Sequence, residues 1–311
     1  MRTGEKKNKL KWYVISTFSV IGLVVLFWSS DCPENALKTN SGTGANSSPV
    51  IPDSLTFCNE KVPIEFFDVR EGLERELLVN TYWHSQTILF IKKANRYFHE
   101  IEPILKENNL PEDFKYLAIA ESGLANVVSP SGAVGFWQLI EGTAKDYDLE
   151  INDEVDERYH LEKATNAASK YILESYKKYN NWTLAAASYN VGRRGVDRQI
   201  EKQKENNYYN LLFNEETARY VYRVIALKLI LENPGAYNFN ISMNDLYQPI
   251  AFKNIAVNQA VNSWADFAKA HRTNYKMIKI LNPWLRDQQL TNSSNKEFQI
   301  RVPRKKARRS N

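Results

Sequence analysis

The chain has 311 residues, 43% hydrophobic and 25% charged, with a formal net charge of +5. That is enough apolar material for a full core with room for more than one domain, which excludes a chain too polar to fold. The four histidines, His84, His99, His160 and His271, are scattered without His-Glu-x-x-His spacing. There is no Cys-x-x-Cys pair, no Gly-rich phosphate loop after a strand and no Gly-x-Ser-x-Gly elbow, so no metal, cofactor or serine-hydrolase chemistry is indicated.

The charge is unevenly spread. Residues 1–11 hold five Lys/Arg against one Glu, and residues 301–311 hold six against no acid, so the body between them is net acidic at −5. Trp12 to Trp28 is a 17-residue run without charge, flanked by Lys9 and Lys11 before it and Asp31 and Glu34 after it. It reads as a membrane anchor over 12–28, with the basic tail 1–11 in the cytoplasm and the rest across the membrane, a single-pass protein with its body in the periplasm. A cleaved signal peptide is the alternative, although Phe27-Trp28-Ser29-Ser30 lacks a small-x-small site. A form lipidated at Cys32 is another, although Ser29-Ser30-Asp31 is a poor lipidation box. Residues 29–65 read as a flexible linker, on the strength of Thr39-Asn40-Ser41-Gly42-Thr43-Gly44-Ala45-Asn46-Ser47-Ser48-Pro49. Cys32 and Cys58, the only cysteines, both precede the helical region and remain unassigned.

From 66 to 240 the pattern is helical. Leu73, Leu77, Ile88, Ile91, Phe98, Ile101 and Leu105 recur at three- and four-residue steps, as do Leu161, Ala164, Ala168 and Ile172, and then Tyr220, Val224, Leu227 and Leu231. The Ala-rich stretches 164–168 and 184–187 let helices approach closely beneath a groove. After Asn233-Pro234-Gly235 the texture becomes strand, helix, helix, strand over 248–303, ending in a basic tail, 304–311. That tail reads first as a disordered solubilising end, with contact to an anionic membrane, cell wall or nucleic acid as the alternative.

Within the helical region, Pro111, Glu112 and Asp113 start a helix with Phe114, Leu117 and Ala118 on one face, and Glu121 falls one turn beyond Leu117. Ser122-Gly123 ends it. Burial and the negative helix end both push such a carboxyl upward in pKa, which suits a general acid for a glycosidic oxygen. Taken alone, Glu121 reads as a helix-end cap or salt-bridge partner.

Four ordered blocks change that reading: Ala120-Glu121-Ser122; Ser129-Pro130-Ser131-Gly132-Ala133-Val134-Gly135-Phe136-Trp137-Gln138-Leu139; Ala187-Ser188-Tyr189-Asn190-Val191-Gly192; and Glu216-Thr217-Ala218-Arg219-Tyr220-Val221. Together they resemble the family 1 lytic transglycosylases (SLT domain), of the membrane-bound D type, over about residues 75–235. The resemblance implies a mainly α fold, a lysozyme-like transglycosylase domain, joined to a small α+β LysM-like module. It further implies Glu121 as catalytic acid and then base, with Ser129, Gln138, Tyr189, Asn190 and Tyr220 lining the sugar sites. Glu216 and Thr217 read as helix-start residues. The implied substrate and partner is the peptidoglycan glycan strand, cut between N-acetylmuramic acid and N-acetylglucosamine with closure of a 1,6-anhydro sugar. No nucleic acid is expected, and no protein-docking motif is visible. The family usually has Leu-Met where this chain has Phe136-Trp137, and Ala-Tyr-Asn-Ala-Gly where it has Ser-Tyr-Asn-Val-Gly, changes expected to reshape the groove. The LysM resemblance rests on Asn282 and Val302-Pro303, while Asn258-Gln259-Ala260-Val261 replaces the usual Gly-Asp-Thr-Leu turn. A goose-type lysozyme-like hydrolase, which needs a water-activating acid, and a catalytically silent wall-binding scaffold are the alternatives.

Overall fold

The structure, a computed structural model, describes residues 48–309. It opens with a hairpin of β1 (Thr56–Phe57) and β2 (Glu60–Lys61). Leu55, Phe57, Val62 and Ile64 are buried, and Phe57 meets Phe114 edge-on at 5.8 Å between ring centroids. The second half of the expected linker is therefore folded. Its polar residues alternate with apolar ones that supply a buried face, a pattern the neighbouring Ser/Gly/Asn tract hides. Cys58 is buried here, its backbone N–H donating to Asp113 Oδ2 at 2.6 Å. Cys32 lies outside the described residues.

Eight helices follow: α1 (Phe67–Tyr82), α2 (His84–Glu107), α3 (Lys115–Ser122), α4 (Glu141–Asp146), α5 (Leu161–Tyr179), α6 (Trp182–Val191), α7 (Arg193–Gln203) and α8 (Glu215–Glu232). The centre is α8. Its Val221, Val224, Ile225, Ala226, Leu227 and Ile230 are all buried, so it is apolar round most of its circumference and is enclosed by its neighbours. Helix α1 lies along it, and a Cβ on Gly72 would come within 2.8 Å of the Tyr222 ring. Between α5 and α8 runs α6, whose buried Leu184–Ala187 stretch carries the small side chains that close packing needs.

The C-terminal unit is βααβ, as its sequence texture predicts. Strands β3 (Phe252–Val257) and β4 (Phe298–Pro303) pair antiparallel from Phe252↔Pro303 to Val257↔Phe298. Helices α9 (Trp264–Ala270) and α10 (Tyr275–Leu281) cover them, with Trp264, Ile278, Trp284, Ile300 and Val302 in the core. Asn282 is fully buried and clamps α10 to β4: its amide donates to Ile278 O and Arg301 O, both at 2.8 Å, and its Oδ1 accepts from Arg301 N–H at 2.8 Å. This unit shares its core with Val134, Val155 and Tyr159 of the helical body. Backbone bonds from Asp156 N–H to Trp284 O (2.9 Å) and from Arg286 N–H to Glu154 O (2.7 Å), with an Arg301–Glu100 ion pair at 2.7 Å, complete the joint.

The expected single-pass membrane localisation is corrected. Among the described residues no helix is long and apolar enough to cross a membrane. The longest, α2, interleaves its apolar positions with Lys92, Lys93, Arg96, Glu100 and Glu102, the pattern of a helix packed on one face and wet on the other. The anchor read at 12–28 lies outside the described residues.

Candidate functional site

Glu121 occupies the last turn of α3, which Gly123 ends in the left-handed region at φ 60°, its N–H bonding Ile119 O at 2.8 Å. Next to it, Ser122 Oγ lies 2.9 Å from Phe136 O and 3.0 Å from Ala118 O, tying the helix end to the loop that follows. Burial raises the Glu121 carboxyl from an ordinary 4.5 to about 7, against the opposing pull of a hydrogen bond from Tyr220 and the nearby Arg223 guanidinium. The Tyr220 hydroxyl donates to Glu121 Oε1 at 2.5 Å, and Tyr220 is itself buried in α8. A carboxyl in this setting is half-protonated near neutrality and held in one orientation.

The six residues named from sequence, Glu121, Ser129, Gln138, Tyr189, Asn190 and Tyr220, all line one cleft of about 550 Å³. Four separate segments deliver them: the end of α3, the loop 129–140, the end of α6 and the first half of α8. Tyr189 is fixed by donating to Trp137 O at 2.7 Å. Ser129 Oγ accepts from Ala133 N–H at 2.9 Å and sits 2.9 Å from Ser131 Oγ, so it braces its own loop. Gln138 stands at φ 47° and its amide nitrogen donates to Val127 O (3.1 Å) and Gly135 O (2.8 Å). Its amide oxygen is then the group left for a ligand N–H or O–H. Asn190 accepts from Thr217 Oγ1 at 2.9 Å and reaches Glu216 Oε1 at 3.5 Å, so it links the end of α6 to the start of α8.

Phe136 and Trp137 point away from the cleft. Phe136 packs edge-on against Tyr97 at 4.8 Å, and Trp137, fully buried, donates from Nε1 to Thr165 Oγ1 at 2.8 Å. The replacement expected to reshape the groove is therefore absorbed in the core behind it. Gly135 is required in this loop: it stands at φ 81°, and a Cβ there would lie 2.3 Å from Arg158 O.

Of the lining residues that sequence reasoning did not assign to the site, Glu216, Arg223 and Tyr171 matter most for its charge and shape. Glu216, read as helix-start chemistry, is exposed into the cleft, while Thr217 does serve the helix start, donating its N–H to Asn214 Oδ1 at 2.9 Å. Arg223 is the one cation among the lining residues, and Glu76, fully buried, holds both it (3.4 Å) and Arg219 (2.6 Å). Glu216, Tyr220 and Arg223 follow at four- and three-residue steps on one face of α8, so helical spacing from Tyr220 would have found the other two. Tyr171 completes the wall, its ring 5.5 Å from that of Tyr189. His160 serves structure: it caps α5 by accepting from Lys163 N–H, and burial lowers its pKa to about 3.

Residues 99–212 match the transglycosylase SLT domain and residues 253–306 the soluble lytic transglycosylase C-terminal LysM-like domain. Membrane-bound lytic murein transglycosylase D of Escherichia coli K12 is 27% identical over 206 residues, 64% of this chain and 45% of the relative, so the chain matches less than half of that protein's length. Among solved structures, an inactive mutant of lytic transglycosylase Slt from Pseudomonas aeruginosa aligns at TM-score 0.39 and 19% identity, over 49% of this chain and 26% of that one. The 70 kDa soluble lytic transglycosylase of Escherichia coli aligns at 0.41 and 18%, over 58% and 32%. The chain is thus similar to the transglycosylase SLT domain in its helical body, to the soluble lytic transglycosylase C-terminal LysM-like domain in its βααβ unit, and to membrane-bound lytic murein transglycosylase D across much of its length.

Proposed function

We propose that this protein is a peptidoglycan lytic transglycosylase, with Glu121 as its acid and base. The observation that carries the reading is one carboxyl, raised to about 7 and held by a buried tyrosine in a cleft that the four sequence blocks build together. Protonated Glu121 gives its proton to the oxygen leaving the muramoyl anomeric carbon as that C–O bond breaks, assisted by the substrate's own acetamido oxygen. The carboxylate then takes the proton of the muramoyl C6 hydroxyl while that oxygen bonds to the anomeric carbon, restoring the acid. No water is consumed, and proximity within the ring replaces a second catalytic carboxylate. In this reading Gln138 receives the acetamido or hydroxyl groups, Tyr189 offers its ring to a sugar face, Ser129 shapes the loop, and Asn190 holds α6 against α8.

Glu216 gives the hydrolase reading one specific support, since it is a second acid in the cleft and inverting glycosidases use such an acid to activate water. Its exposure and its contact with Asn190 favour a binding role. Release of soluble muropeptides from purified sacculi tests the enzyme reading: the parent protein releases them and Glu121→Gln does not. Equal release by both would remove Glu121 from the chemistry.

A further inference from the structure

At the end of the C-terminal unit, the start of β3, the turn between α9 and α10 and the turn after β4 enclose a groove of about 1060 Å³ that shares no residue with the catalytic cleft. Its lining contains no acidic residue. Seven Lys/Arg line it, Lys253, Arg272, Arg304, Lys305, Lys306, Arg308 and Arg309, and none of them has a carboxylate partner among the described residues. Elsewhere the opposite holds for many cations: Lys115, Lys163, Arg219 and Lys228 are all paired. The basic segment is fixed in place, since Arg304 donates its N–H to Ala251 O at 2.9 Å and its Nε to Phe252 O at 3.0 Å, and Lys306 turns the chain at φ 68°.

We infer that this groove is a second binding site, for a polymer that bears spaced carboxylates, namely the peptide stems of the wall strand whose glycan the cleft takes. The choice of carboxylate peptide over other anions follows from the lining. The lining has no Trp, Tyr or Phe to form a platform for nucleic-acid bases, and its one aromatic ring, that of His271, packs against Phe267 at 4.3 Å. The only apolar lining residues are Met277, Pro303 and Ala307, and Met277 is buried, so there is no apolar face to enter a lipid interface. Unpaired cations in a concave surface focus potential and capture anions at range, and that capture weakens as salt is added. The site would hold the strand by its peptides while the cleft works on its sugars. The ligand assignment rests on the proposed wall substrate; the groove itself does not.

The test is co-sedimentation of the full chain, in a Glu121→Gln background so that nothing is cut, with intact sacculi and with glycan strands stripped of peptide by an amidase. Lys305→Glu/Lys306→Glu/Arg308→Glu is compared with Lys202→Glu, an exposed reversal on α7. Removing three attractive contacts and adding three repulsive ones is expected to weaken binding to intact sacculi by roughly tenfold at low salt, with a flatter salt dependence, and to leave binding to stripped strands unchanged. The Lys202→Glu control stays at parental affinity. Equal binding of the triple variant and its parent to intact sacculi would overturn the site. An equal loss on stripped strands, or an effect seen only with vesicles of phosphatidylethanolamine and phosphatidylglycerol or with duplex DNA, would overturn the peptide assignment. Muropeptide release by the protein with Glu121 intact is scored separately, so failure of the groove and failure of the catalytic reading are told apart.

Discussion

Replacing Glu121 by Gln should stabilise the protein at alkaline pH while abolishing cleavage. The carboxyl titrates at an ordinary 4.5 when unfolded and at about 7 when folded, because burial penalises its anion. Between those two values the native state holds a proton that the unfolded state has lost, so stability falls as pH rises through that window. A difference of this size amounts to about 3 kcal/mol, at about 1.4 kcal/mol per pKa unit. Gln is neutral throughout and retains an oxygen to accept from Tyr220. Denaturant unfolding of parent and variant should therefore coincide near pH 4 and diverge up to pH 8, where the variant is more stable by up to about 3 kcal/mol and melts on the order of 6–10 °C higher. A pH-independent gap, or one that widens toward acid, would show that Glu121 is not strained in the folded protein and would remove the physical ground for its role as an acid.

Tyr220→Phe deletes the donor to Glu121 and with it a pull toward ionisation, so the alkaline limb of the cleavage profile should move up by roughly 1–2 pH units while kcat falls; an unmoved limb would refute the contact's role. Glu76→Ala leaves Arg219 and Arg223 without their shared buried partner, and chemical denaturation should record a loss of about 3–5 kcal/mol. Gly135→Ala forces a side chain against the Arg158 carbonyl at a positive φ. Affinity for glycan fragments should drop together with thermal stability as the loop bearing Gln138 shifts. Asn282→Ala removes two hydrogen bonds between the end of α10 and β4 and a third within α10, and hydrogen exchange should quicken in the C-terminal unit before it does in α8.

The site was legible in the sequence to the extent that local signals announce it. Glu121 is readable because Leu117 fixes the helix face and Gly123 fixes where the helix stops. Gln138 and Tyr189 were readable only through the ordered blocks, since nothing local distinguishes a cleft glutamine from a surface one. What stayed hidden depends on how distant segments meet. Arg223 belongs to the cleft because α8 passes beside the end of α3, and Glu76 holds it there from α1. Residues 55–64 read as linker because their buried face forms only in the tertiary fold, where Phe57 meets Phe114 and the segment joins the main core. The joint between 150–160 and the C-terminal unit is equally hidden in the sequence, because Val155, Tyr159 and the backbone of Glu154 and Asp156 find their partners only beyond residue 260.

Mass spectrometry of the fragment ends released from sacculi tests the central claim most directly. The account predicts muropeptides lighter by one water than reducing ones, the mark of 1,6-anhydro closure by the C6 hydroxyl, and their disappearance with Glu121→Gln. Reducing ends from the parent protein would contradict it, placing water in the attack and Glu216 as the acid to examine next.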